Sequence, residues 1–382
     1  MGAAGRSFQI FVKPVGSACN LACRYCYSVE KTIPVSQAKT GRMSDNLLEE
    51  YIVRHISASP DEIIRFSWHG GEPTLAGVDF FRKAVEIERR NRPPGRRIVN
   101  GMQTNGTLID EEWGAFLAEA EFSVGLSLDG PEDIHDACRR ARDGRPSFRE
   151  AMHGYEILRR HGVPVDILTV IGAHNVRRPT EVYGFLKSIS ASFMSFLPLV
   201  ERSAGSPSGV DSLTVPADAW GEFLCAVFDE WLAGDIGRVK IQIFEEAVRT
   251  AFGLEHSLCI FRPECGDIPA VERNGDVYSC DHFMNEEHRL GNILVTPLAE
   301  LIDGPAQRTF GRAKLERLPR PCRTCEVRDM CNGECPRNRF VPDPAGGPDL
   351  NYLCPGYKRF FIHCRPFVEA VAAEWRRGRG ER

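Results

Sequence analysis

The chain has 382 residues, 42% of them hydrophobic, which is enough to bury a large core and to form more than one domain. Its formal net charge of -4 supplies no overall basic field of the kind nucleic-acid binding needs, and local pairs such as Arg89-Arg90 and Arg376-Arg377 read as solvated helix faces. No apolar run is long enough to cross a bilayer, and Met1 to Ser7 lacks the basic, apolar, small-residue pattern of a signal peptide, so the expected compartment is the cytoplasm.

Residues 8 to 200 alternate short apolar runs with amphipathic stretches, the pattern of repeated β-α units around a parallel sheet. The runs predict strands over Phe8–Val12, Ile63–Trp68, Ile98–Gln103, Phe122–Leu128, Val165–Ile171 and Phe193–Leu197. Helices fit between them, one capped by Ser44 and running to Ser57, another capped by Asp110 and running to Ala120. Six such units suit a partial barrel of α/β class. Polar or glycine-rich segments follow the strand ends, among them Gly70-Gly71-Glu72, Thr104-Asn105-Gly106 and Asp129-Gly130-Pro131, and loops at the carboxyl ends of parallel strands are where such folds build sites. Ser203 to Ser212 reads as a connection, and Ala217 to Leu232 as an amphipathic helix. From about Ser257 to Cys354 cysteines, prolines and turn residues dominate, as expected where metal sites replace part of a hydrophobic core. Tyr357 to Arg377 reads as a closing helix.

The fourteen cysteines do not describe a disulfide scaffold, which belongs to small secreted domains. In a reducing compartment their close groupings read as metal or cluster ligands, or as redox thiols. Cys19-Asn20-Leu21-Ala22-Cys23-Arg24-Tyr25-Cys26 gathers three thiols in the loop after the first strand. Three thiolates hold three irons of a four-iron cluster and leave the fourth open to chelate a substrate, although a zinc knot or redox pair uses similar spacings. Downstream, Cys259, Cys265, Cys280, Cys322, Cys325, Cys331, Cys335 and Cys354 are enough to close two more four-iron clusters or, alternatively, two structural zinc sites. Gly70-Gly71-Glu72-Pro73 lacks the lysine of a phosphate loop, and its acid suits a cationic ligand; a solvent-exposed turn is the plainer alternative.

The C-x-x-x-C-x-x-C run followed by Gly70-Gly71-Glu72-Pro73 resembles the radical S-adenosylmethionine (SAM) superfamily. The downstream cysteines narrow the resemblance to the branch with a C-terminal SPASM domain, and within it to anaerobic sulfatase-maturating enzymes. It extends over nearly the whole chain, including Phe196 to Arg202 and Arg289 to Ile293. The resemblance implies a partial (β/α)6 radical SAM barrel over residues 1–235 and a SPASM domain with two auxiliary clusters and a C-terminal helix over residues 236–382. It implies three four-iron, four-sulfur (4Fe-4S) clusters and SAM as cofactors. Cys19, Cys23 and Cys26 would hold the open cluster; Cys259, Cys265, Cys280 and Cys335 one auxiliary cluster; Cys322, Cys325, Cys331 and Cys354 the other, an interleaving that spacing alone does not give.

The SAM contacts it implies are Tyr25 near the adenine, Gly70, Gly71 and Glu72 at the methionine ammonium, and Ser127 and Arg139 at the carboxylate, where a planar guanidinium binds bidentately. It also places Gln103 facing the cavity, although Asn105-Gly106 serves equally as a simple turn. Asp281, directly after Cys280, is implied as the catalytic base, its pKa expected to be raised towards the working pH beside clusters in a closed cavity; a turn-forming acid is the alternative reading, and His282 is a competing base. The implied reaction is oxidation of a cysteine or serine side chain of a sulfatase to Cα-formylglycine after hydrogen abstraction by a 5'-deoxyadenosyl radical. An electron donor such as flavodoxin or ferredoxin would reduce the cluster, with no nucleic acid or membrane partner. Two alternatives stay open: a maturase that installs a thioether or carbon-carbon crosslink in a ribosomally made peptide, and a non-enzymatic iron-sulfur or zinc protein.

Overall fold

A computed structural model describes residues 2–26, 41–206 and 208–378. The chain forms two compact units interleaved along the sequence: Met1–Leu128, His135–Asp166 and Gly266–Gly311 make the first, and Asp129–Ile134, Ile167–Cys265 and Arg312–Arg382 the second. The strands are β1 (Ile10–Val12), β2 (Ile63–Trp68), β3 (Arg97–Thr104), β4 (Ser123–Ser127), β5 (Val165–Ile171), β6 (Phe193–Pro198), β7 (Lys240–Ile241), β8 (Ala270–Val271), β9 (Asp276–Tyr278), β10 (Arg289–Asn292), β11 (Arg339–Val341) and β12 (Leu350–Asn351).

In the first unit the strand order is β10-β9-β8-β1-β2-β3-β4, parallel from β8 to β4 and antiparallel through β9 and β10. The expected strands lie where apolar side chains alternate, within one or two residues of their predicted ends. Only Phe8 and Gln9 fall outside β1, although the Gln9, Phe11 and Lys13 N–H groups donate in turn to the carbonyls of Asp267, Pro269 and Val271. Helices Asp45–Ala58 and Glu111–Glu119 start at the expected caps: Ser44 accepts from the Leu47 N–H and Asp110 from the Trp113 N–H. Helices Asp45–Ala58, Val78–Asn91, Glu111–Glu119 and Phe148–Arg160 contribute Leu48, Ile52, Phe80, Phe81, Trp113 and Leu158 to one buried core with Phe66, Trp68 and Val124 of the strands.

In the second unit β5, β6 and β7 are parallel, with Ile167 opposite Met194 and Phe193 opposite Lys240. Helices Ala217–Gly234 and Cys354–Gly378 pack against one another through Trp220 and Tyr357, and through Phe228, Phe360 and Phe367. They come so close that a Cβ on Gly356 would meet the Ala217 carbonyl oxygen at 2.2 Å, so only glycine fits there. β11 and β12 form a small antiparallel pair beside them in the sequence. Among the described residues no helix is long and apolar enough to cross a membrane.

Candidate functional site

In the first unit the cysteine loop, Lys13 to Cys26, leaves the carboxyl end of β1 and is fastened to the loop that follows β2. The Gly71 and Glu72 N–H groups each donate at 2.9 Å, to the carbonyls of Gly16 and Ala18. A Cβ on Gly71 would lie 2.1 Å from the Ala18 oxygen, and Gly70 adopts a φ of 123° with its own Cβ position 2.8 Å from the Gly16 oxygen. The two glycines are there to let backbone meet backbone. On the other side Ala22 and Arg24 donate to the carbonyls of Arg140 and Cys138 at 2.7 and 3.0 Å, and Arg142 Nε donates to the Cys19 carbonyl at 2.8 Å. Cys19, Cys23 and Cys26 are half-buried on this braced loop and form no disulfide. Burial, with Glu72, Cys23 and Cys26 nearby, pushes the Cys19 thiol up to about 12, so a metal must supply the charge that turns it into a thiolate ligand.

The residues expected to hold SAM stand in the same unit. The Arg139 guanidinium lies over the Tyr25 ring, 5.4 Å from its centre, and Gln103 Nε2 donates to Ser127 Oγ at 3.1 Å, pairing the ends of β3 and β4. Glu72 is enclosed by donors. Its carboxylate has no exposed surface and accepts four hydrogen bonds: from Thr74 N and Oγ1 at 3.1 and 2.6 Å, from Thr104 Oγ1 at 2.6 Å, and from the Asn105 N–H at 2.8 Å. Burial raises its pKa, and these donors oppose that rise. Its carboxylate ties the loops after β2 and β3 together.

Cys280 and Asp281 follow β9, also in the first unit. Asp281 is 6% exposed, whereas His282 is exposed. The Lys13 ammonium, at the end of β1, lies 2.5 Å from Asp281 Oδ1, with both side chains under 10% exposed. Burial alone would raise the Asp281 carboxyl, as expected, but Lys13 together with His69 and His282 reverses this and holds it well below the usual carboxylate range. The His69 ring stacks on Phe11 at 4.7 Å and burial lowers its pKa, which favours the neutral imidazole. Sequence reading passed over Lys13, whose one signal is a cation ending an apolar strand just before the cysteine loop.

In the second unit Cys322, Cys325, Cys331 and Cys354 line one cavity, with Arg328, Glu334 and Lys358 also in its wall. Short helices at Arg320–Arg323 and Arg328–Cys331 carry Cys322 and Cys331, Cys325 lies in the turn between them, and Cys354 opens the last helix. Between Cys331 and Cys335 the backbone is left-handed at Asn332, Gly333 and Glu334 (φ 46°, 72° and 51°). The Glu334 side chain is locked by Asn338 and Asn351, whose amides donate at 3.1 and 2.5 Å. Non-glycine residues in this region cost about 1–3 kcal/mol each, a strain typical of loops shaped around a site. Cys259, Cys265 and Cys335 cluster around Lys314, whose buried ammonium donates to the carbonyls of Cys259 and Ile260 at 2.8 and 2.7 Å.

Among the described residues, none of the fourteen cysteines forms a disulfide. Among the described residues no group of three or more His, Cys, Asp or Glu side chains is arranged to hold a single metal ion; a four-iron cube spreads its thiolates wider than one ion does. Soft thiolates around a cavity, with Arg328, Arg339 and Lys358 close by to balance negative charge, fit an iron-sulfur cluster.

Comparison with known proteins agrees. Residues 14–186 match the Radical SAM superfamily and residues 265–326 the SPASM iron-sulfur cluster-binding domain. The protein is therefore a radical SAM enzyme with an α/β radical SAM domain followed by a SPASM domain, an architecture that uses 4Fe-4S clusters and SAM. The chain is 39% identical to the serine-type anaerobic sulfatase-maturating enzyme of Bacteroides thetaiotaomicron, over 97% of this chain and 92% of that one. It is 32% identical to the cysteine-type enzyme of Clostridium perfringens, over 95% and 98%. The solved structure of native anSMEcpe with bound AdoMet and Cp18Cys peptide superposes with a TM-score of 0.87 at 31% identity, covering 97% of this chain and 99% of that one. The chain belongs to the anaerobic sulfatase-maturating enzymes.

Proposed function

We propose that this protein oxidises a serine or cysteine side chain of a sulfatase to Cα-formylglycine. The observation that carries the reading is the near end-to-end match to enzymes of that activity. Identity is higher to the serine-type relative than to the cysteine-type one, which favours serine as the target. On this reading residues 1–235 form the barrel and 236–382 the SPASM domain, the protein works in the cytoplasm, and flavodoxin or ferredoxin supplies electrons.

Cys19, Cys23 and Cys26 hold the open cluster, Cys322, Cys325, Cys331 and Cys354 a closed one, and Cys259, Cys265 and Cys335 three corners of another. When bound, the open cluster with SAM supplies a 5'-deoxyadenosyl radical that removes a hydrogen atom from carbon, and the auxiliary clusters accept one further electron. Tyr25, Gln103, Ser127 and Arg139 orient SAM, and Glu72 keeps the Gly70-Gly71 backbone in place to face it. Asp281 takes the proton from the hydroxyl or thiol of the target. Lys13 offsets burial and keeps that carboxylate ionised at neutral pH, while holding its pKa away from the working pH that best suits a general base. The target's CH2–OH or CH2–SH group thus loses one hydrogen atom, one proton and one electron to become an aldehyde or thioaldehyde; hydrolysis of the thioaldehyde gives formylglycine and hydrogen sulfide.

The test is mass spectrometry of a Cys-x-Pro-x-Arg peptide and its serine counterpart after anaerobic incubation with reconstituted protein, SAM and reductant. Formylglycine supports the reading. Formation of 5'-deoxyadenosine with both peptides unchanged contradicts it and favours a crosslinking maturase.

A further inference from the structure

Asn105 follows β3 in Gln103-Thr104-Asn105-Gly106 and is 7% exposed. Its Oδ1 accepts from Thr107 N and Thr107 Oγ1 at 3.0 and 2.7 Å. Those two donors fix which way the amide faces, because an amide nitrogen there would confront two N–H or O–H groups. Its Nδ2 is thereby aimed at the cysteine loop, donating to Asn20 Oδ1 at 2.9 Å and to Cys19 Sγ at 3.8 Å. Asn20 closes the ring by donating from Nδ2 to Thr107 Oγ1 at 2.8 Å. The Asn105 backbone is held in turn by the bond from its N–H to the buried Glu72 carboxylate. The same sulfur also accepts from the Leu21 N–H at 3.4 Å.

We propose that Asn105 is a positioning residue for the open cluster: its amide, aimed by Glu72, Thr107 and Asn20, donates to the Cys19 sulfur, sets the direction of that ligand and raises the cluster's reduction potential. The proposal rests on reading Cys19 as a cluster ligand. Reduction adds negative charge that spreads onto the coordinating sulfurs, and an N–H dipole pointed at one of them favours the reduced state over the oxidised one. Glu72 thus acts on the cluster through Thr104 and Asn105. This couples the loops after β1, β2 and β3 into one support.

The test uses the full-length, anaerobically reconstituted protein and reads two quantities: iron per chain, and the midpoint potential of the electron paramagnetic resonance signal that changes when SAM is added. A SAM-responsive signal in the wild type upholds the ligand reading, and its absence overturns that reading and the proposal together. Asn105→Leu and Asn105→Ala each remove the donor without adding a charge, which would lower the potential by itself. Both are expected to load iron as the wild type does and to have a lower potential, by threefold to tenfold in the reduction equilibrium, or up to about 59 mV. Either variant that loads decides the question. An unchanged or higher potential overturns the proposal, and so does failure of both variants to load, which would make Asn105 a requirement for assembly rather than a tuning donor.

Discussion

Lys13 and Asp281 bring opposite charges together from distant parts of the sequence, and burial gives the pair its weight. A carboxylate and an ammonium under 10% exposed, 2.5 Å apart, support one another. Remove one and the other is left as an unpaired buried charge, at a cost of about 3–5 kcal/mol. Lys13→Met is therefore expected to lower the melting temperature and to cut formylglycine formation by about 100-fold or more, the typical worth of a general base. Thermal unfolding and single-turnover mass spectrometry check both effects; near wild-type turnover in the variant would remove Lys13 from the mechanism. The sequence exposed Asp281 only through the family resemblance, because an acid after a cysteine is also a good turn residue. It did not expose Lys13, whose meaning depends on β8 pairing with β1. Glu72 was visible as a residue, but its direction was not: the four donors that enclose it come from two loops whose meeting is a property of the folded sheet.

Strands and helices carried their own signals. Alternation of apolar residues marked β2 and β5 end to end, and side-chain caps at Ser44 and Asp110 marked two helix starts, because each is a local effect. Contacts between elements left less trace. Glu88, on the helix Val78–Asn91, would be read as one more surface acid, yet it is 3% exposed and accepts from Asn100 Nδ2 of β3 at 2.7 Å, while Asn100 Oδ1 accepts from Trp68 Nε1 of β2. Burial pushes the Glu88 carboxyl up to about 8, so the folded protein holds it protonated. A group with a raised folded pKa stabilises below its unfolded value, near 4.3, and that contribution is lost as pH rises towards about 8, at up to about 1.4 kcal/mol per pH unit. Glu88→Gln, neutral at every pH, is expected to flatten that loss and to melt higher than the wild type at pH 8 with a smaller difference at pH 5. Parallel melting curves across that range would mean that Glu88 is ionised in the fold.

Across the whole molecule, cysteines hold the account together. Composition announced a cysteine-rich C-terminal stretch, but linear reading did not reveal that Gly266–Gly311 joins the first compact unit while Arg312–Arg382 joins the second. Nor did spacing alone group Cys322, Cys325, Cys331 and Cys354, which the chain brings to one cavity through two short helices, the turn between them and the start of a third helix. Metal binding at such a site is also folding energy, since the site is assembled only in the folded chain. Cys331→Ala is expected to lower bound iron from about twelve to about eight atoms per chain, with three clusters reduced to two, and to reduce thermal stability. Iron content unchanged in this variant would place the cluster elsewhere.

The central claim is that this chain converts a protein side chain to formylglycine, and its most direct test is mass spectrometry of the serine and cysteine peptides after anaerobic turnover. Formylglycine is expected from the serine peptide, with product lost in Asp281→Asn while 5'-deoxyadenosine is still formed. If 5'-deoxyadenosine accumulates with wild-type protein while both peptides keep their mass, the protein is a radical SAM enzyme acting on another substrate, and the claim is contradicted.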